Sequence, residues 1–75
     1  MKIDYVAVGR RIAVRRKELR LTQEKLAEKV NISTSYLGNI ERAQDKPSLE
    51  VFVNIAVALN ANFDYLLTDD RSETI

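Results

Sequence analysis

The chain has no cysteine and no histidine. Without cysteine there is no disulfide and no thiolate metal site. Without histidine the usual general base, the commonest metal ligand and the usual physiological pH switch are all gone. A zinc site is thereby close to excluded, and most hydrolase mechanisms are unsupported. No nucleophile–base pair, glycine-rich phosphate loop or carboxylate pair facing a cleft is apparent, so no enzyme, cofactor or metal is expected. No apolar run approaches the roughly 20 residues of a membrane span. The opening MKIDYVAVGRR lacks the pattern of a secretory signal, and a cytoplasmic location without membrane contact is expected.

Glycine and proline are also scarce, two and one in 75 residues. With so little punctuation and no β-branched alternation, the chain reads as helix after helix. A chain this short makes one domain with a modest core. The net charge of +1 conceals an asymmetry: residues 1–49 carry +5 and residues 50–75 carry −4. A polyanion-binding side and an ordinary solvated surface account for this equally well.

The spacing predicts a first helix from about Tyr5 to Leu19, with Tyr5, Val8, Ile12 and Leu19 on one face. Arg16 falls within that stripe, while Arg10, Arg11, Arg15 and Lys17 are expected on the remaining surface. Thr22 caps a second helix reaching about Val30, with Leu26, Ala27 and Val30 inward. Glu24 near its start and Lys29 near its end suit the helix dipole. Asn31 sits where the chain must turn, and Asn tolerates the left-handed conformation. Ser33 caps a third helix, Thr34 to about Arg42, with Leu37, Ile40 and less centrally Tyr36 inward. After the loop Ala43 to Pro47, Ser48 caps a fourth helix, Leu49 to about Leu59. Its expected inner face is Leu49, Phe52, Ile55, Ala56 and Leu59. Asn60 or Asn62 allows a further turn before a short fifth helix, Phe63 to Leu67. This gives a domain over 1–67 and a polar tail over 68–75.

The second and third helices are joined by about three residues, too few for antiparallel packing. They must cross steeply, as in a helix-turn-helix. The outward face of the third helix collects Ser35, Gly38, Asn39 and Arg42, with Thr34 at its edge. These side chains are small or hydrogen-bonding and none is acidic, which suits a helix entering the major groove of DNA. An inert polar surface is the alternative. The second helix, with Glu24, Lys25, Glu28 and Lys29, has the mixed charges of a solvated face. Arg16 and Glu41 lie on facing apolar stripes. They either pair, since an unpaired buried charge is very costly, or snorkel to solvent.

The runs LTQEKLAEKVNIS-x-SYL-x-NIER, KPSLEVFVNIAVALN and FDYLL resemble the Cro/C1-type, or XRE-like, helix-turn-helix family over about Val8 to Leu67. The resemblance implies an all-α, compact five-helix bundle of the lambda-repressor-like kind, its helix-turn-helix formed by helices two and three. It implies sequence-specific binding of a double-stranded DNA operator by a bacterial or phage transcription regulator. It also implies that Ser33, Thr34, Ser35 and Asn39 read bases, and that Gln23 bonds a phosphate. Arg42 and Lys46 then fall near the DNA backbone, with Tyr36 a weaker candidate for contact or packing. Arg16 and Glu41 match the family's internal ion pair. Two glycines usual in the family are replaced, by Asn31 in the turn and by Ala43 after the third helix. A left-handed alanine is mildly costly, so the third helix is expected to run a little longer.

Helix-turn-helix proteins commonly bind half-sites as dimers. Val53 and Val57 lie off the core face of the fourth helix. With Phe63 or Tyr65 they form a two-fold contact, unless the fifth helix covers them. Beside a free-standing regulator, two other roles stay open. One is an antitoxin or controller of a gene pair, with a protein partner. The other is a protein-interaction module without DNA binding.

Overall fold

The structure, a computed structural model, describes residues 2–67. Five helices follow one another: α1 Tyr5–Glu18, α2 Gln23–Lys29, α3 Thr34–Glu41, α4 Leu49–Leu59 and α5 Phe63–Leu67. The expected tail over 68–75 lies outside the described residues.

Each helix begins at a short polar side chain that accepts from an otherwise unpaired backbone N–H. Thr22 accepts from Lys25 at 3.0 Å, Ser33 from Tyr36 at 3.0 Å and Ser48 from Val51 at 3.2 Å. Asp4 serves α1 by accepting from Ala7, and Asn62 serves α5 by accepting from Tyr65.

The helix ends share a second device. Arg20, Asn31, Ala43 and Asn60 all adopt positive φ, at 60°, 60°, 63° and 52°. At each, the next residue's N–H reaches back five residues to a helix carbonyl: Leu21 to Arg16, Ile32 to Ala27, Gln44 to Asn39 and Ala61 to Ala56. This is the Schellman closure, which satisfies carbonyls that the helix leaves unpaired. None of the four residues is glycine. Ala43 adopts the left-handed turn directly, so α3 stops at Glu41 with Arg42 as its cap and does not run longer. The two hydrogen bonds of the closure, from Ala43 to Ile40 and Gln44 to Asn39, hold it there.

The core joins Val8 and Ile12 of α1 to Leu26, Ala27, Leu37, Ile40, Phe52, Ile55, Ala56, Leu59 and Leu66. Helix α1 packs against α3, α4 and α5, and α2 packs against α3 and α4. Because α1 touches three helices, its buried side is wider than one stripe. Arg11 is accordingly buried, contrary to the surface position expected of it. Two leucines depart the other way. Leu19 is 38% exposed, because it lies past the last residue of α1 and caps the helix. Leu49 is 79% exposed: it belongs to the first turn of α4, which projects past the core. There it lines an apolar groove with Ile3, Tyr5, Pro47 and Phe63. No helix among the described residues is long and apolar enough to cross a membrane.

Candidate nucleic-acid interface

Helices α2 and α3 meet through a turn whose shape is set by Asn31 at φ 60° and whose apolar anchor is Ile32, packed against the core. The cap Ser33 then starts α3 at once. Leu37 and Ile40 hold α3 to the core, and Gly38 is buried as well. Ser33, Thr34 and Ser35 are left exposed at the start of the helix, and Asn39 is half-buried further along.

The orientation of α3 is fixed by a buried carboxylate. Glu41 Oε2 accepts from Arg16 Nε at 2.7 Å, and Glu41 Oε1 accepts from Arg16 Nη2 at 3.1 Å. The Arg16 and Glu41 side chains are 9% and 5% exposed, so the pair does not snorkel to water. Arg16 Nη1 also donates to the Leu21 carbonyl at 2.8 Å, tying the pair to the α1–α2 turn. Gln23 Nε2 donates to Glu41 Oε1 at 2.9 Å. A carboxylate only accepts, so this bond turns the Gln23 amide nitrogen toward Glu41 and leaves that nitrogen one N–H to give elsewhere. One ion pair thus locks α1, the start of α2 and the end of α3 together.

The far end of α3 carries a second network, on the surface. Arg42 Nη2 donates to Asn39 Oδ1 at 2.7 Å, and Asn39 Nδ2 donates to Asp45 Oδ2 at 3.1 Å. Gly38 makes room for this: a β-carbon there would lie 3.1 Å from Arg42 Nη1. Tyr36 is half-buried and its hydroxyl lies 3.5 Å from the Lys46 carbonyl. The Lys46 ammonium sits 5.2 Å from the centre of the Tyr5 ring. Asn39 and Arg42 therefore lie toward the end of α3 and Ser33, Thr34 and Ser35 at its start, with the Tyr36 side chain reaching from the first turn to Lys46.

Two residues that shape this site carry no signal in the sequence pattern. Asp45 comes from the loop, so the acid-free face counted along α3 did not include it. Gly9 has no sequence signal beyond its type. A β-carbon on Gly9 would lie 2.5 Å from the Ile40 carbonyl oxygen, so only glycine lets α1 cross the end of α3 this closely.

The helix-turn-helix family model matches residues 12–66, which spans α2, α3, the Arg16–Glu41 pair and the Asn39–Arg42–Asp45 network. The chain belongs to the Cro/C1-type helix-turn-helix family. Over 65 residues, 87% of the chain, it is 43% identical to the immunity repressor protein of Bacillus phage phi105. It spans 45% of that repressor's length, and so less than half of it. Among solved structures, it resembles the restriction-modification controller protein C.AhdI from Aeromonas hydrophila. That likeness has a TM-score of 0.79 and 35% identity, over 84% of this chain and 96% of the other. The c2 repressor of Salmonella phage P22, solved in complex with a synthetic operator, gives a TM-score of 0.78 and 35% identity. It too is matched over 84% of this chain and 96% of the other.

The residues set aside for a dimer contact lie on α4 and α5. Val53 is half-buried, Val57 is 73% exposed, and Phe63 and Tyr65 are exposed. Helix α5 therefore does not cover Val57. Phe63 stays beside the core by packing on Phe52, with ring centres 5.6 Å apart.

Proposed function

We propose that this chain binds double-stranded DNA sequence-specifically and regulates transcription in a bacterium or phage, acting in the cytoplasm by occupancy of an operator and not by catalysis. Helix α3 enters the major groove. Ser33, Thr34, Ser35 and Asn39 face base edges, where hydroxyls donate or accept and an asparagine amide pairs with adenine. Gln23, Tyr36, Arg42 and Lys46 meet the sugar–phosphate backbone, which sets register without carrying sequence information. The observation that carries this reading is the exposed, small and polar start of α3, on a helix whose far end is held by the Arg16–Glu41–Gln23 lock. A solvated helix face has no use for that rigidity.

The chain acts as a homodimer on DNA, with Val53, Val57, Phe63 and Tyr65 at the two-fold contact. A controller or antitoxin role in a gene pair is a second reading. It draws on the likeness to C.AhdI, nearly all of whose chain is matched, and it adds a protein partner.

Selection of binding sites from a random duplex pool tests the proposal. The expected product is a pair of related half-sites with centres about one helical turn apart. No enrichment, together with no salt-dependent binding to any duplex, overturns it and leaves a protein-interaction module.

A further inference from the structure

We infer that Asp45 is a specificity-determining positioning residue, which locks the Asn39 amide in the orientation that reads a base. The inference rests on the proposed role of α3 as the reading helix.

An asparagine amide has two ends of opposite character. The oxygen only accepts and the nitrogen only donates, and a half-turn of the side chain exchanges them. A free surface asparagine therefore presents both arrangements. Asn39 does not, because its neighbours have opposite polarity. The Asp45 carboxylate can only accept, and it takes a hydrogen from Nδ2. The Arg42 guanidinium can only donate, and it gives one to Oδ1. Turning the amide over would set oxygen against carboxylate and nitrogen against guanidinium. Each amide atom keeps one further site, a second N–H and a second lone pair. That donor and acceptor, side by side and in a fixed order, are what the N7 and N6 edge of adenine requires.

The backbone holds Asp45 in place for this task. The left-handed turn at Ala43 folds the loop back over α3. The backbone N–H groups of Gln44 and Asp45 then both donate to the Asn39 carbonyl, at 2.8 Å and 3.3 Å. Asp45 thus grips Asn39 twice, through its own N–H and through its carboxylate. Asp45 is also an exposed acid beside a surface that must approach phosphates. It weakens binding to every duplex through charge repulsion. Discrimination is gained against general affinity.

The full chain is carried through site selection and titrated against its selected operator and a scrambled duplex of equal length, as wild type, Asp45→Ala, Asp45→Asn, Asn39→Ala and the Asn39→Ala, Asp45→Ala double variant. Asp45→Ala should bind the scrambled duplex a few-fold more tightly. Its ratio of specific to scrambled affinity should fall on the order of tenfold, at the base pair that Asn39→Ala also loses. Asp45→Asn removes the charge but keeps an oxygen that can accept from Asn39. It should bind both duplexes more tightly and keep the ratio. The double variant should discriminate no worse than Asn39→Ala alone, because the acid acts through the amide. If Asn39→Ala changes the selected motif but Asp45→Ala does not, the inference falls and the reading helix stands. A loss at a different base pair in Asp45→Asn would mean that the acid reads DNA itself, which also overturns the inference. An unchanged motif in Asn39→Ala removes the reading role of Asn39, and the inference with it.

Discussion

The backbone of Gly9 lies directly against the carbonyl group of Glu41. A β-carbon on Gly9 would fall 2.6 Å from that oxygen and 2.5 Å from the carbonyl oxygen of Ile40. Both neighbours are backbone, so they cannot swing aside. Gly38 differs. A β-carbon there meets only the end of the Arg42 side chain, at 3.1 Å. Gly9→Ala should therefore destabilise the domain by at least about 1–3 kcal/mol, the usual cost of overpacking. Gly38→Ala should stabilise it by up to about 1 kcal/mol, because alanine favours a helix interior. Thermal melts of the two variants, shifted in opposite directions, are the expected result. An unchanged or raised melting temperature in Gly9→Ala would show that α1 and α3 can part freely.

The same crossing places Arg16 on Glu41. Removing one member of a buried pair strands the other charge, at a cost of about 3–5 kcal/mol. That is a large share of the stability of a domain this small. Glu41→Ala should lower the melting temperature far more than Glu24→Ala, since Glu24 is exposed in the first turn of α2. It should also weaken DNA binding under conditions where the variant is still folded, because Gln23 loses the acceptor that orients it. Small and equal melting shifts would count against the lock.

Much of this was legible in the residues. Thr22, Ser33 and Ser48 mark helix starts through a local side-chain bond, which depends on sequence alone. The apolar spacing placed Leu37, Ile40, Phe52, Ile55 and Leu59 in the core. What spacing could not supply was the third dimension. Leu49 has the angular position of a core residue but lies a turn beyond the core's edge. Arg11 is buried because α1 is enclosed on several sides, which no single-helix pattern reveals. Asp45 joins Asn39 across a turn, so neither residue's own helix announces the contact. Arg20 is left-handed at φ 60° although arginine carries no preference for it. The neighbouring hydrogen bonds of Leu21 and Arg20 impose that conformation.

The left-handed ends offer a test of stored strain. A left-handed non-glycine residue costs roughly 1–2 kcal/mol, and glycine returns part of the gain through its freer unfolded state. Ala43→Gly and Arg20→Gly should each stabilise the domain by about 1 kcal/mol or less. Asn31→Gly should change little, because asparagine already tolerates the conformation. Denaturant midpoints measure this. Destabilisation in Ala43→Gly would mean that the turn carries no strain.

Val57 tests assembly. Its side chain is 73% exposed on α4, with Val53 one turn before it on the same face. If the two-fold contact is built there, Val57→Glu places like charges opposite one another across the axis. Analytical ultracentrifugation should then find a folded monomer. That monomer should bind a full operator much more weakly while keeping its affinity for a single half-site. A wild type that stays monomeric at high concentration and on operator DNA would refute the contact.

Lys46 separates charge from reading. Its ammonium rests 5.2 Å from the centre of the Tyr5 ring, an exposed arrangement that leaves the charge within reach of solvent. If Lys46 meets a phosphate, its loss removes one released counterion and no base contact. Lys46→Ala should then weaken the specific and the scrambled duplex alike and flatten the salt dependence by about one unit of slope. The selected motif should not change. Tyr5→Leu keeps the charge but removes its aromatic rest, so the slope should remain that of the wild type. Arg42→Ala should behave differently from both. Arg42 is bonded to Asn39, so its loss should reduce the slope and also blur the motif at the base pair Asn39 reads. Titrations at several salt concentrations on both duplexes distinguish the three. A Lys46→Ala variant with an altered motif and an unchanged slope would move Lys46 from the backbone to the base edges.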